Sequence, residues 1–205
     1  MPVIVVANPK GGVGKSTLAT NVAGYFASRG QVVMLGDVDR QQSARTWLAL
    51  RPANVAPIAA WEVAHEAVVR PPKGTTHVVL DTPAGLHGKR LDEVMKLADK
   101  VLIPLQPSIF DIHATHAFVR ELLAHRRGDK VRLAIVGMRT REGTIATDQL
   151  RGFLESVKVP LLGFVRDTQN YVHLAAHGLT LFDVGAARFE RDVAQWQPIA
   201  HWLDA

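Results

Sequence analysis

The segment Lys10-Gly11-Gly12-Val13-Gly14-Lys15-Ser16-Thr17 restricts the folds open to this chain more than any other feature. It follows an apolar run over 3–7 that predicts a strand, and it precedes a helical pattern over 16–29. A glycine-rich turn between a strand and a helix directs backbone N–H groups into one concavity, where the helix dipole adds partial positive charge. The sequence therefore predicts a nucleoside triphosphate site at this loop.

The roles of single residues in this loop follow from the chemistry of bound phosphate. Lys15 is expected to lie along the β- and γ-phosphates, and the Ser16 hydroxyl to hold Mg²⁺. The common pattern G-x-x-x-x-G-K-[ST] fails at its first position, which is Pro9. A glycine-rich turn that merely ends in lysine is the alternative, and the strand–turn–helix context disfavours it. The residues predicted to bind nucleotide here are Gly11, Gly12, Val13, Gly14, Lys15, Ser16 and Thr17.

Apolar runs and helical patterns alternate along the whole chain, which is typical of βα units. We predict an α/β fold of the P-loop NTPase type, a mostly parallel twisted sheet with helices on both faces, forming a single domain over 1–205. The predicted strands are 3–7, 32–36, 77–81, 100–104, 131–137 and 161–164. The predicted helices are 16–29, 41–50, 61–69, 89–98, 111–126, 146–156, 169–177 and 187–203.

Composition excludes several classes of protein. The 205 residues include no cysteine, which excludes disulfides, Fe–S ligation and thiolate chemistry. No segment approaches the roughly 20 unbroken apolar residues of a membrane span, and a cytoplasmic location is expected. The formal net charge of +5 favours a nucleic-acid partner.

Carboxylates follow the predicted strands near the phosphate loop. Asp37 and Asp39 come at the end of the second strand, and Asp81 ends the next. Carboxylates at such positions hold Mg²⁺ and its waters, although Asp also starts turns and caps helices. We assign Asp37 and Asp81 to the hydration shell of the metal and Asp39 to orienting the attacking water. Gly85 is expected in a loop that senses the γ-phosphate.

These motifs together resemble the ParA/MinD family of deviant-Walker ATPases. The resemblance rests on the loop 10–17, the Asp-x-Asp at 37–39, Asp81-Thr82-Pro83 and the proline-containing stretch IPLQPSIFD over 103–111. Asn8-Pro9 and Trp47 are similar to the small ParA branch that includes plasmid ParF. The chain departs from the family at Arg40, where Asp-Pro-Gln is usual, and at Ile109, where a third proline is common.

The resemblance implies how the site works. Lys10 matches the family's signature lysine, which reaches the phosphates bound by the other subunit of an ATP-dependent homodimer, as an arginine finger does. Catalysis is then assigned to Lys10, Lys15 and Asp39, and Arg139 lies where the family contacts adenine. ATP, ADP and Mg²⁺ are the implied ligands, and slow hydrolysis is expected. We expect no N-terminal helix-turn-helix extension of the kind that larger ParA proteins carry, and therefore no specific operator binding.

The resemblance also implies partners. The ATP-bound dimer is expected to bind DNA without sequence preference, in association with the nucleoid, and a small centromere-binding or adaptor protein to stimulate hydrolysis. Plasmid or chromosome DNA is the first cargo hypothesis, and a protein cargo such as chemotaxis arrays or microcompartments is the alternative. Candidate DNA contacts are Arg120, Arg126, Arg127, Lys130, Arg132 and Arg166, although solvated helix ends also collect arginine.

A MinD-like membrane ATPase is another alternative, and it needs a basic amphipathic helix at the C-terminus. The tail 189–205 is net acidic, so we expect Trp196, Ile199 and Leu203 to pack onto the body instead.

Other relatives of the fold fit less well. Tyrosine kinases of related design use a tyrosine cluster, whereas only Tyr25 and Tyr171 are present. Dethiobiotin synthetase shares the phosphate loop without the signature lysine. The pair His113 and His116 has no carboxylate at metal-site spacing.

Overall fold

A computed structural model describes residues 1–39, 41–62, 71–141, 143–145, 147–148, 150, 152 and 157–205. Its strands are β1 (Val3–Val6), β2 (Val33–Asp37), β3 (Ile58–Trp61), β4 (His77–Asp81), β5 (Lys100–Leu105), β6 (Arg132–Thr140) and β7 (Leu161–Arg166). Its helices are α1 (Lys15–Ser28), α2 (Ser43–Leu50), α3 (Gly88–Leu97), α4 (Ile109–Ala124), α5 (Gln169–Ala176) and α6 (Glu190–Asp204). Short 3₁₀ helices span Gly128–Lys130 and Ala186–Arg188.

The described strands form one seven-stranded sheet in the order β3-β2-β4-β1-β5-β6-β7. Every pairing is parallel. Parallel strands joined by helices have their carboxyl ends at one edge of the sheet, where ligands of such folds bind. The strand order reverses beside β1, so the loop after β1 lies at this crevice. The predicted fold class is confirmed.

The core lies on both faces of the sheet because strand side chains alternate in direction. Ile4 and Val6 of β1 join the cluster formed with α1, α2, α5 and α6. Val3 and Val5 join the cluster formed with α3 and α4. All four side chains are buried, as expected for a central strand covered on two sides.

The structure differs from the sequence prediction at one edge of the sheet. The strand β3 was not predicted, and Trp61, placed at the start of a helix over 61–69, is instead the last residue of that strand. Residues 63–69 of that predicted helix lie outside the described part, as do 146, 149, 151 and 153–156 of the helix predicted over 146–156. The other predicted helices and strands are confirmed with small shifts at their ends.

Candidate nucleotide-binding site

The loop between β1 and α1 depends on backbone shapes that favour glycine. Gly12 has φ 76° and Gly14 has φ 92°, both in the left-handed region that costs a residue with a Cβ atom more than glycine. Gly14 precedes α1 as its N-cap and offers no side-chain hydrogen bond. The first N–H groups of α1 therefore have no side-chain cap, and they suit an anion.

Lys15 folds back into the loop that carries it. Its side chain is largely buried, and Nζ donates a hydrogen bond to the Lys10 carbonyl oxygen at 2.7 Å. Burial lowers the pKa of Lys15, while the charges of Asp81 and Asp39 act in the opposite direction. The ammonium group is thus held at the concave side of the loop, within electrostatic reach of two of the predicted carboxylates.

Asp81 ends β4 and is only 1% exposed. Burial raises the pKa of Asp81 to about 7; the Ser16 hydrogen bond and Lys15 lower it, and the charges of Asp37 and Asp39 raise it. Among the described residues, nothing donates a hydrogen bond to its buried Oδ1 atom. A buried carboxylate without a partner is costly unless a cation or a donor meets it.

Ser16 and Asp81 therefore fit Mg²⁺. The ion prefers oxygen ligands and keeps several waters, binding through one or two protein groups together with phosphate oxygens. The described residues contain no group of three or more His, Asp or Glu side chains able to enclose a metal.

Asp37 is held by backbone groups at the end of β2. Its Oδ1 accepts from the Asp39 N–H at 2.9 Å, and its Oδ2 accepts from the Ala44 N–H at 2.8 Å and from the Arg45 N–H at 3.4 Å. Asp37 thus binds the free N–H groups in the first turn of α2, which is the helix-capping role open to Asp. Burial raises its pKa, and these hydrogen bonds oppose the shift.

Asp39 lies in the turn that connects Asp37 to α2. Its Oδ1 accepts from the Gln41 N–H at 3.0 Å, and its carbonyl oxygen accepts from the Gln42 N–H at 3.1 Å. The neighbouring departure at Arg40 lies outside the described residues.

An open cavity of about 710 Å³ brings most of the predicted phosphate residues together. It is lined by Gly11, Gly12, Gly14, Lys15, Ser16, Thr17, Val38, Asp39, Gln41, Ser43, Pro83, Ala84 and Arg90. Gly85 lies just beyond this lining, and its N–H donates to the Pro9 carbonyl oxygen at 2.8 Å. Arg90 of α3 was not predicted, because an exposed arginine on a helix is no signal in sequence.

A second cavity of about 250 Å³ adjoins the first and shares Gly12, Gly14 and Thr17 with it. Arg139 lines this second cavity, and its φ of 53° is unusual for a residue with a side chain. It was expected after the end of a strand, whereas it is the second-last residue of β6, at a register shift. Asp167 accepts hydrogen bonds from Arg139 at 3.3 Å and from Arg141 at 3.0 Å.

Lys10 differs from Lys15 in its surroundings. It is half-buried, and within the part of the chain that the structure describes its ammonium group makes no hydrogen bond or ion pair. Its N–H donates to the Asn8 side-chain oxygen at 2.9 Å. The backbone of Lys10 is therefore fixed while its charge stays available.

Two amide side chains that hold the loop were not assigned roles from the sequence. Asn8 is fully buried and donates to the Pro104 carbonyl oxygen at 2.8 Å and to Thr115 Oγ1 at 2.9 Å. Gln106, which follows β5, donates to the Gly12 carbonyl oxygen at 2.7 Å. The only signal in sequence is the position of each amide directly after an apolar strand.

The candidate DNA-contacting residues do not form one group with the cavity. Three cations are exposed near the start of β6: Arg126, Lys130 and Arg132. They lie at the amino ends of the strands, and the phosphate loop lies at the carboxyl ends. Arg120 is exposed on α4, and Arg127 is half-buried with a hydrogen bond to the Ala98 carbonyl oxygen at 3.4 Å.

Arg166 is bound within the protein. Its guanidinium pairs with Asp192 through a bond of 2.5 Å and a second of 3.1 Å, and Asp192 is fully buried. This pairing leaves Arg166 less suited to DNA than the exposed cations.

The C-terminal helix α6 packs onto the sheet as expected. Trp196, Ile199 and Leu203 are buried in the same cluster as α1. Tyr25 donates a hydrogen bond to Asp204 at 2.7 Å, and Lys100 donates to the carbonyl oxygens of Trp202 and Leu203 at 3.1 and 2.6 Å. Of the helices in the described ranges, none has both the length and the hydropathy to cross a bilayer.

Comparisons with known proteins find relatives of this chain in sequence and in fold. A model of the CobQ/CobB/MinD/ParA nucleotide binding domain matches residues 4–181. The Maintenance of carboxysome distribution protein A of Gloeobacter kilaueensis is 28% identical over 206 residues, covering 98% of this chain and 94% of that protein. The Chromosome-partitioning ATPase Soj of Thermus thermophilus is 27% identical over 168 residues, covering 66% of this chain and 67% of Soj.

A solved structure gives the same result for the fold. A McdA–ATP complex from Cyanothece superposes with a TM-score of 0.74 at 15% identity, covering 97% of this chain and 96% of that one. At that identity the likeness supports the architecture alone.

Proposed function

This chain belongs to the CobQ/CobB/MinD/ParA family of nucleotide-binding domains, and from that premise we propose that it is a Mg²⁺-dependent ATPase that dimerises on ATP and positions a cargo. The observation that carries the proposal is the pair of lysines in one loop. Lys15 is bound to its own loop at 2.7 Å, whereas the Lys10 ammonium, in the described part of the chain, has no partner. A phosphate loop needs only the first lysine for its own nucleotide, so the second is free to act on another.

The proposed chemistry is phosphoryl transfer to water. Bound Mg²⁺ would supply neutralisation of phosphate charge, and Ser16 and Asp81 are the side chains that would hold it. Lys15 binds the phosphates, and the N–H groups of the loop and of the first turn of α1 surround them. Asp39, in the turn that borders the cavity, orients the water. Lys10 stabilises the γ-phosphate charge of the partner subunit, as an arginine finger does.

Non-specific DNA is the proposed surface on which the ATP-bound dimer works. The support is the net charge of +5 and the exposed cations Arg126, Lys130 and Arg132 at one edge of the sheet. A dimer carries two such patches, and phosphate contacts add through counterion release, so binding should fall steeply with salt. A partner protein that stimulates hydrolysis completes the proposal.

Two cargoes are supported by different relatives. DNA is supported by the similarity to Soj, whose name gives chromosome partitioning as its role, over two thirds of this chain. A protein body is supported by the similarity to a carboxysome distribution protein over 98% of this chain. The neighbouring reading frame discriminates between them: a small basic protein with a disordered arm indicates DNA segregation, and a shell or chemotaxis component indicates a protein cargo.

The proposal is tested by binding to random duplex DNA and to anionic liposomes, each with Mg²⁺ and either ATP or ADP. We expect DNA binding with ATP, weak binding with ADP, and no binding to liposomes, because the apolar face of α6 is buried. DNA binding that is indifferent to nucleotide, or binding to liposomes alone, would contradict the proposal.

A matched pair of double variants locates the DNA surface. Arg126→Ala/Lys130→Ala and Lys73→Ala/Lys96→Ala remove the same charge from exposed positions. The first pair is expected to weaken DNA binding and reduce the slope of its salt dependence by about one to two per subunit, and the second to change it little. Equal effects of the two pairs would remove the patch from the proposal and leave only net charge.

A further inference from the structure

Gln106 links the carboxyl end of β5 to the phosphate loop across 94 positions of sequence. Its Nε2 atom donates a hydrogen bond to the Gly12 carbonyl oxygen at 2.7 Å. We propose that Gln106 is a positioning residue that holds the Gly12–Val13 peptide in its anion-binding orientation. This inference rests on the proposed nucleotide function.

The planarity of the peptide bond explains why a contact on a carbonyl group controls an N–H group. In a trans peptide the C=O of one residue and the N–H of the next lie in one plane and point in opposite directions. With the Gly12 C=O directed at Gln106, the Val13 N–H points away from it. The side chain of Val13 is buried, so only its backbone N–H is available to bind the anion.

Gly12 needs such a restraint because its own conformation is permissive. Its φ of 76° is one that glycine adopts freely among several others. A Cβ atom placed on Gly12 would meet no atom within 4 Å, so packing does not hold this residue. Within the described ranges, the bond from Gln106 is the one hydrogen bond received by the Gly12 carbonyl group.

The other side of Gln106 is firmly anchored. The preceding residue, Leu105, is fully buried in the sheet. The Gln106 carbonyl oxygen accepts from the Ser108 N–H at 2.8 Å, and the Ser108 carbonyl oxygen accepts from the Ile112 N–H at 2.9 Å. The side chain that restrains Gly12 is thus mounted on the junction of β5 with the first turn of α4.

The test replaces Gln106 by residues that separate the hydrogen bond from the volume of the side chain. Gln106→Met keeps the length and removes the donor, and Gln106→Lys, which is one bond longer and carries a positive charge, restores a donor. Gln197→Met, an exposed position on α6, is the matched control. Dissociation constants for Mg²⁺–ATP and Mg²⁺–ADP, steady-state hydrolysis and thermal unfolding without nucleotide are measured for each protein.

For Gln106→Met we expect both dissociation constants and KM to rise about tenfold, which corresponds to losing the charge-assisted bond from the Val13 N–H to phosphate. The value of kcat should stay within about threefold of wild type, and the nucleotide-free unfolding temperature should not change. Gln106→Lys is expected to recover most of the affinity, and Gln197→Met to match wild type. The Val13 amide resonance in ¹⁵N-labelled, nucleotide-free protein is expected to shift in Gln106→Met and in neither of the other variants.

Two outcomes overturn the inference, and a third concerns the function beneath it. Nucleotide affinity of Gln106→Met equal to wild type, with an unmoved Val13 resonance, would show that the loop holds itself. A lower unfolding temperature with equal loss in the methionine and lysine variants would show a packing role instead. If the wild-type protein binds neither ATP nor ADP, the proposed function fails first.

Discussion

The two lysines of the phosphate loop show how one residue type serves two purposes. Lys15 is buried and bound to the Lys10 carbonyl oxygen, so removing it also removes a contact that shapes the loop. The backbone of Lys10 is held by Asn8, while its ammonium group makes no hydrogen bond or ion pair in the described structure that would be lost. Truncation of Lys10 therefore isolates the function of its charge.

Lys10→Ala is expected to bind Mg²⁺–ATP with an affinity within about threefold of wild type and to fold normally. Its hydrolysis rate should fall at least a hundredfold, because a cation supplied in trans to a γ-phosphate contributes about that much or more. Isothermal calorimetry and phosphate release measure the two effects, with Lys96→Ala, an exposed lysine on α3, as the control. Normal hydrolysis and dimerisation by Lys10→Ala would show that Lys10 is not a trans-acting residue.

Asp81 makes the stability of the nucleotide-free protein depend on pH. Its pKa is about 7 in the folded chain against an ordinary value of 3.8, so the folded state binds the extra proton between these values. The stability from this group is therefore fully present below pH 3.8 and is lost as the pH rises to about 7. Magnesium is absent from this experiment, because the ion would compete for the same carboxylate.

Asp81→Asn removes that titration while keeping the shape of the side chain. From pH 5 to pH 8, the free energy of unfolding of wild type is expected to fall by roughly 2 to 3 kcal/mol relative to that of Asp81→Asn. Urea denaturation in the presence of a chelator measures it at each pH. A difference that stays constant over this range would mean that Asp81 titrates normally in the folded chain.

At the scale of elements, the sequence predicts the central strands well and the edge of the sheet poorly. The strands β1, β4 and β5 are buried on both faces and read as unbroken apolar runs. The edge strand β3, with the sequence IAAW, has only four residues, and both alanines are exposed. Such a short strand carries no periodicity, so its pairing with β2 could be found only in three dimensions.

The candidate site divides in the same way. The glycines and Lys15 are recognisable because local backbone shape and phosphate chemistry act over eight consecutive residues. Asn8 and Gln106 act over about 100 positions, through hydrogen bonds to β5, α4 and Gly12. Arg90 reaches the cavity only because α3 begins beside it. Contacts of this kind depend on the order of the strands, which periodicity does not reveal.

The helix α2 connects the site to a buried ion pair. Its first turn is bound by Asp37, and Arg51 directly follows its last residue. Arg51 forms two hydrogen bonds of 2.9 and 2.8 Å with Asp183, and the two side chains are 5% and 2% exposed. The pair thus ties the end of α2 to the segment that follows α5.

Asp183→Ala is expected to destabilise the protein by about 3 to 5 kcal/mol, because it leaves a buried guanidinium without its partner. The double variant Arg51→Met/Asp183→Ala should cost less than the sum of the single changes. Arg29→Met, which removes an exposed pair with Asp204 at 3.8 Å, is the control and should cost under about 1 kcal/mol. Chemical denaturation measures each, and additive effects of Arg51 and Asp183 would contradict the coupling.

At the scale of the whole molecule, the sheet separates two kinds of surface. The nucleotide cavity lies at the carboxyl ends of the strands, and the exposed cations near Arg132 lie at the amino ends. The helix α6 is fastened along its buried face and at its last turn through Lys100 and Tyr25. A nucleotide signal that reaches the basic edge must therefore pass through the association of two chains or cross the molecule along the strands and helices.

Association of two chains can be tested by complementation, because a trans-acting lysine places each active site on two subunits. Asp39→Ala is expected to bind ATP but lack the group that orients water, and Lys10→Ala lacks the cation it would donate. Each variant alone should be nearly inactive. In a mixed dimer, the site on the Lys10→Ala chain has its own Asp39 and receives Lys10 from the other chain, so one site of two is complete.

An equal mixture is therefore expected to reach about a quarter of wild-type hydrolysis, since half of randomly formed dimers are mixed and each has one complete site. The activity should depend on total protein concentration and appear only when both variants are present. Mixing Asp39→Ala with Asp81→Asn is the control. Each change disables the site of its own chain, so the mixed dimer contains no intact site and should stay inactive. A mixture of Lys10→Ala and Asp39→Ala as inactive as its components would place Lys10 in its own chain's site and remove the reason for a dimer.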